Sequence, residues 1–114
     1  MTIWKGDWMF YRYEAENKET GEYEGIFSFF NPSERRYFNR FLKEPKWYEK
    51  HPNVESKCWF TQDGYDKYHH IIDEIIASYQ PWPSRRLNIR LLTKSTLENI
   101  ACKGKMQCIE VIKE

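Results

Sequence analysis

Asp66, His70 and Glu74 fall four residues apart in a stretch with helical periodicity. One helix face would then carry a carboxylate, an imidazole and a second carboxylate. Such groups can ligate a transition metal, and a small metal-dependent enzyme could be built on them. Structural zinc takes four ligands, commonly including thiolates, and this face has no cysteine. The same spacing suits a solvated surface with favourable i,i+4 pairs, which is the reading adopted. His69 and His70 point about 100° apart on a helix and cannot grip one ion together. His51 precedes Pro52 in a loop with no evident partner.

A thiol nucleophile needs a base and an orienting group beside it. Cys58, Cys102 and Cys108 have no histidine placed near them by spacing and read as small buried residues. Cys102 and Cys108 flank a tight turn and could pair on oxidation if their β-carbons converge. The five glycines form neither dinucleotide nor phosphate-loop signatures. No catalytic set and no cofactor is implied.

Charge is distributed unevenly. Residues 14–24 contain Glu14, Glu16, Glu19, Glu22 and Glu24 against Lys18 alone, a net of −4. Residues 35–50 carry a net of +4, with Arg35, Arg36, Arg40 and Lys43 at their start. Complementary potentials speed association and select partners. The acidic segment, with Tyr11, Tyr13 and Tyr23 as aromatic anchors, therefore reads as a contact surface for a macromolecular partner, most simply a protein. The alternative is a nucleic-acid-binding module. There Arg35, Arg36, Arg40 and Lys43 would meet phosphates while Trp47 and Tyr48 stack on bases. Acidic residues also blunt strand edges, so part of the cluster has a purely structural use.

These residues need a scaffold. Trp8–Ala15 and Tyr23–Phe30 read as strands joined by a turn at Asn17–Gly21, a β-hairpin. Asn31-Pro32-Ser33-Glu34 is a helix start with a capping box, and the helix ends before Pro45. Lys57–Phe60 reads as a short strand. Thr61 caps a second helix over residues 63–79, whose Tyr65, Tyr68, Ile72, Ile75 and Ile76 form the apolar stripe. Leu87, Ile89 and Leu91 alternate as a strand, and Leu97–Lys103 with Lys105–Ile112 form a hairpin about Gly104. The order is ββα(β)αβββ. The expected fold is α+β: an antiparallel sheet made of the N-terminal hairpin and a C-terminal three-stranded meander, with both helices on one face.

The 114 residues suffice for one domain, 1–114, with its own core. Aromatic residues make up 18% of the chain and supply much of the apolar volume. No stretch reaches the roughly 20 apolar residues of a membrane span. Without a leader-like start, the three cysteines suggest reduced thiols and a cytoplasmic setting. The composition, rich in aromatics and poor in alanine, points towards accessory proteins of phages and mobile elements, and so towards an inhibitor or immunity-type binder.

Overall fold

The computed structural model describes residues 9–40, 55–79 and 86–113. The strands are β1 (Phe10–Glu16), β2 (Tyr23–Gly25), β3 (Glu55–Phe60), β4 (Ile89–Lys94), β5 (Ile100–Lys103) and β6 (Gln107–Lys113). The helices are α1 (Pro32–Asn39) and α2 (Gln62–Tyr79), and a 3-10 turn spans Ile26–Phe29. The class is α+β with an antiparallel sheet, as the sequence predicts.

β1 organises the sheet. Along one edge it pairs with β4 from Phe10↔Lys94 to Ala15↔Ile89. Along the other it pairs with β2 over Glu14–Glu16 and meets β3 at Tyr11↔Phe60. β3 continues to β6, and β6 to β5. The expected C-terminal meander is therefore corrected: β4 lies beside β1, away from β5 and β6. Residues 95–99 carry the chain from β4 to β5. Leu97 of that crossing segment is buried with Phe10, Trp59 and Cys108.

Strand alternation sorts the side chains. Tyr13, Ala15 and Phe60 pack against Tyr68, Ile72 and Ile75 of α2, with Phe38 of α1 beside them. Most of this core is aromatic. Phe38 lies 5.6 Å from Tyr68 and 4.9 Å from Phe27, centroid to centroid. The outer face of the sheet, away from the helices, carries Phe10, Trp59, Cys108 and Leu97 with the carboxylates of Glu14 and Glu110. Trp59 donates its indole N–H to Glu110 at 3.0 Å, and Lys94 lies 5.1 Å over its ring.

The second predicted strand ends early. Tyr23–Gly25 pair with β1, after which the chain coils into the 3-10 turn and places Ile26 in the core. A continued strand would alternate Ile26, Phe27, Phe29 and Phe30 between two faces, whereas the turn directs all four towards one aromatic cluster.

Helix α1 starts as its sequence specifies. Asn31 Oδ1 accepts from the Glu34 N–H at 2.8 Å, and Glu34 Oε1 accepts from the Asn31 N–H at 2.9 Å. Asn31→Ala is expected to lower stability by about 1 kcal/mol, since it removes a cap acceptor from an eight-residue helix. Chemical denaturation would show this as a shifted midpoint with an unchanged slope. Among the described residues no helix is long and apolar enough to cross a membrane.

Candidate functional site

The β1–β2 hairpin is held by hydrogen bonds within its own turn. The Asn17 N–H donates to Glu22 O at 2.8 Å, and the Gly21 N–H donates to Asn17 O at 2.7 Å. Asn17 Oδ1 accepts from the Glu19 N–H at 2.9 Å, and Thr20 Oγ1 accepts from the Glu22 N–H at 3.2 Å. Gly21 has φ 77°, a left-handed conformation that glycine adopts without steric cost. The turn is therefore a fixed platform for its side chains.

The five glutamates divide into three groups. Glu19 and Glu22 are exposed at the tip and make no ion pair among the described residues. Glu16 and Glu24 are neutrally tethered, accepting from Asn88 and Asn17 at 2.7 and 2.8 Å. Glu14 is 1% exposed and lies inside an ion-pair cluster, which corrects its expected place on the contact surface. Its Oε2 accepts from Arg12 at 2.8 Å and lies 4.0 Å from Lys57 Nζ, while its Oε1 accepts from Arg90 Nη2 at 2.7 Å. Burial acts to raise the Glu14 pKa, but hydrogen bonds and charge from Arg12 and Arg90 outweigh it and hold the carboxyl below its usual range.

The tyrosines divide in the same way. Tyr23 stays exposed, with the Arg90 guanidinium 3.8 Å from its ring centroid. Tyr13 is buried and donates its hydroxyl to Asp73 at 3.0 Å. Burial, and then the Asp73 charge, raise its pKa and keep it protonated. Tyr11 is half-buried and stacks on Tyr65 at 4.0 Å, so neither Tyr11 nor Tyr13 is an anchor beside the acidic tip. The reason is strand alternation: odd-numbered side chains of β1 turn to the helices and even-numbered ones to the outer face.

Arg35, Arg36 and Arg40 are exposed on and just after α1, and Arg35 also donates to Ser28 O at 3.4 Å. Lys43, Trp47 and Tyr48 lie outside the described residues. Asp66, His70 and Glu74 are exposed along α2, where Asp66 accepts from Gln62 at 3.0 Å. Among the described residues no group of three or more His, Cys, Asp or Glu is placed to hold a metal ion. Cys102 is opposite Ile109 and Cys108 opposite Lys103, so the β5–β6 register does not set the two cysteines against each other.

Sequence reasoning missed the cluster centred on Glu14. One signal was present: Arg12 and Glu14 are spaced by two within a strand and must share a face. The convergence of Arg90 and Lys57 depends on strand order, which local spacing does not encode. Together fold and site define an α+β protein whose six-stranded antiparallel sheet is lined by two helices and extends a stiff acidic hairpin tip. No family model, curated protein or solved structure matches the chain.

Proposed function

We propose that this chain is a non-catalytic binding protein that docks on a protein partner through the tip of the β1–β2 hairpin. The observation that supports this reading is the state of Glu19 and Glu22. Both are exposed on a turn closed by its own hydrogen bonds, and among the described residues neither carboxylate is in an ion pair. A pre-organised loop loses little entropy on binding, and exposed carboxylates at its apex favour a basic partner surface. Tyr23, exposed beside the tip, supplies an amphipathic ring for the margin of such a contact. The contact set of this reading is Glu19 and Glu22, flanked by Glu16, Glu24 and Tyr23. An intracellular inhibitor or immunity-type accessory protein is the biological role that best suits a small domain working in this way.

Partner capture from cell lysate with the wild-type chain and with E19K/E22K, followed by rate measurements on the captured protein, tests the proposal. The variant is expected to fold normally and to associate at least tenfold more slowly at low salt. The difference should shrink towards about 0.5 M salt as screening shortens the range of the field. Equal association rates would remove the hairpin from the contact. A captured nucleic acid whose binding falls steeply with salt would transfer the role to Arg35, Arg36 and Arg40.

A further inference from the structure

β4 exposes a surface that the hairpin reading does not use. Asn88 precedes β4 and its carbonyl accepts the Glu16 N–H at 2.9 Å, so its backbone polar groups face β1. In an antiparallel pair, successive residues alternate between facing the partner strand and facing away. The β1–β4 register runs without a shift from Ala15↔Ile89 to Phe10↔Lys94. Arg90, Leu92 and Lys94 therefore direct their backbone groups towards β1, while Ile89, Leu91 and Thr93 direct theirs outward. Among the described residues β4 pairs with no strand besides β1. Leu91 is also 41% exposed. At this position an outward N–H, an outward C=O and an apolar side chain coincide.

Of the other outer strands, β2 has only three residues and β5 is less suited to pairing. Its register with β6 shifts between Ile100 and Cys102, and such irregularities blunt an edge. β4 has no such break. Edge strands are also guarded by charge, and here Arg90 and Lys94 would serve. Both already face carboxylates of their own chain: Arg90 lies 2.7 Å from Glu14, and Lys94 lies 3.9 Å from Glu110.

We propose that this edge is a self-association surface, on which two copies of the chain join β4 to β4 antiparallel about a twofold axis at Leu91. The register is self-complementary. Leu91 meets Leu91, Ile89 meets Thr93, Arg90 meets Leu92, and Asn88 meets Lys94. No like charges fall directly opposite, the arrangement that destabilises cross-strand pairs. The outward backbone groups of Ile89, Leu91 and Thr93 exchange hydrogen bonds with their counterparts. The exposed leucine is covered by its symmetry mate. A second copy fits this edge because the register covers Leu91 with its own mate and sets Arg90 and Lys94, each beside a carboxylate of its own chain, opposite the uncharged Leu92 and Asn88. One short strand pair covers less than the roughly 800 Å² per partner of a standard interface, so the dimer dissociates on dilution.

Sedimentation velocity on the full chain from about 5 to 500 µM tests this, a range chosen for contacts at the weak end of interface size. The wild type is expected to rise from 14.0 kDa towards twice that mass. Leu91→Pro removes an outward N–H and leaves the ladder to β1 intact, a position where edge strands tolerate proline. It is expected to remain at 14.0 kDa throughout with its circular dichroism unchanged. Leu91→Lys keeps the backbone and sets two ammonium groups at the axis, and is expected to weaken the dimer at least tenfold. It carries the test if the proline variant does not fold. A wild type that stays at 14.0 kDa up to the highest concentration overturns the proposal. So does a Leu91→Lys chain that dimerises as tightly as the wild type.

Discussion

Gly64→Ala is expected to cost about 3 kcal/mol of folding stability, from overpacking against backbone plus weakened hydrogen bonds. The first turn of α2 is seated on the β5–β6 turn. The Thr61 N–H donates to Met106 O at 3.0 Å, and Thr61 Oγ1 donates to Lys105 O at 2.7 Å. The same hydroxyl caps the helix by accepting the Gly64 N–H at 3.0 Å. This close seating leaves no room at Gly64: a β-carbon there would land on the Met106 carbonyl oxygen. The obstacle is backbone, which cannot rotate aside as a side chain can. Either α2 lifts from the turn or the turn is displaced, and both movements strain the Thr61 bonds. In a domain of this size the loss corresponds to a melting point lower by about 10–15 °C. Gly25→Ala is the milder comparison, because its β-carbon would meet the Arg12 guanidinium at 3.0 Å, where a shift of a few tenths of an ångström in a side chain held by Glu14 and Cys58 O relieves the contact. It should cost less than about 1 kcal/mol, within the range of ordinary substitutions. A Gly64→Ala chain that melts with the wild type would mean that the helix start slides freely over the hairpin.

That pairing of Thr61 with the β5–β6 turn illustrates what could be read from the chain and what could not. Thr61 as a cap was legible, because a short hydroxyl before an amphipathic stretch satisfies exposed helix N–H groups. Its second role, gripping a turn more than forty residues away, leaves no local trace. The same contrast runs through the fold. Helix starts, strand identities and the apolar stripe of α2 follow from periodicity and capping, which act over a few residues. The position of β4 does not. Leu87, Ile89 and Leu91 alternate equally well whether the strand pairs with β6 or with β1. The choice rests on residues 95–99, whose Leu97 finds Phe10, Trp59 and Cys108 beneath it as the chain leaves β4.

The candidate site was legible in outline but not in detail. The acidic run does surround a hairpin turn, and Glu19 and Glu22 stand at its tip. A count of charge along a strand, however, treats every glutamate alike. Alternation places Glu14 on the outer face of the sheet, and the strand order then sets Arg90 beside it. Glu14 is thereby part of the fold, and the net charge exposed around the hairpin is smaller than the linear sum suggests.

Glu14→Gln should accordingly affect folding more than binding. The substitution keeps the shape of the side chain and removes its charge, leaving Arg12, whose side chain is 12% exposed, without a counter-ion. Breaking a buried pair from one side costs roughly 3–5 kcal/mol. The Arg90 and Lys57 side chains are 47% and 42% exposed and can turn to water, so the expected loss at pH 7 is about 3 kcal/mol, the lower end. The pH dependence separates this from a packing defect. The Glu14 pKa is lower in the folded chain than its ordinary value of 4.5. A group shifted down contributes stability that is complete above its unfolded pKa and lost as pH falls through the folded one. The wild type should therefore lose this contribution progressively below about pH 4.5, while the glutamine variant has nothing to lose at that position. Urea midpoints measured from pH 7 to pH 3 are expected to converge. If the gap between the two proteins stays constant across that range, the role of Glu14 is one of shape, and its charge contributes little.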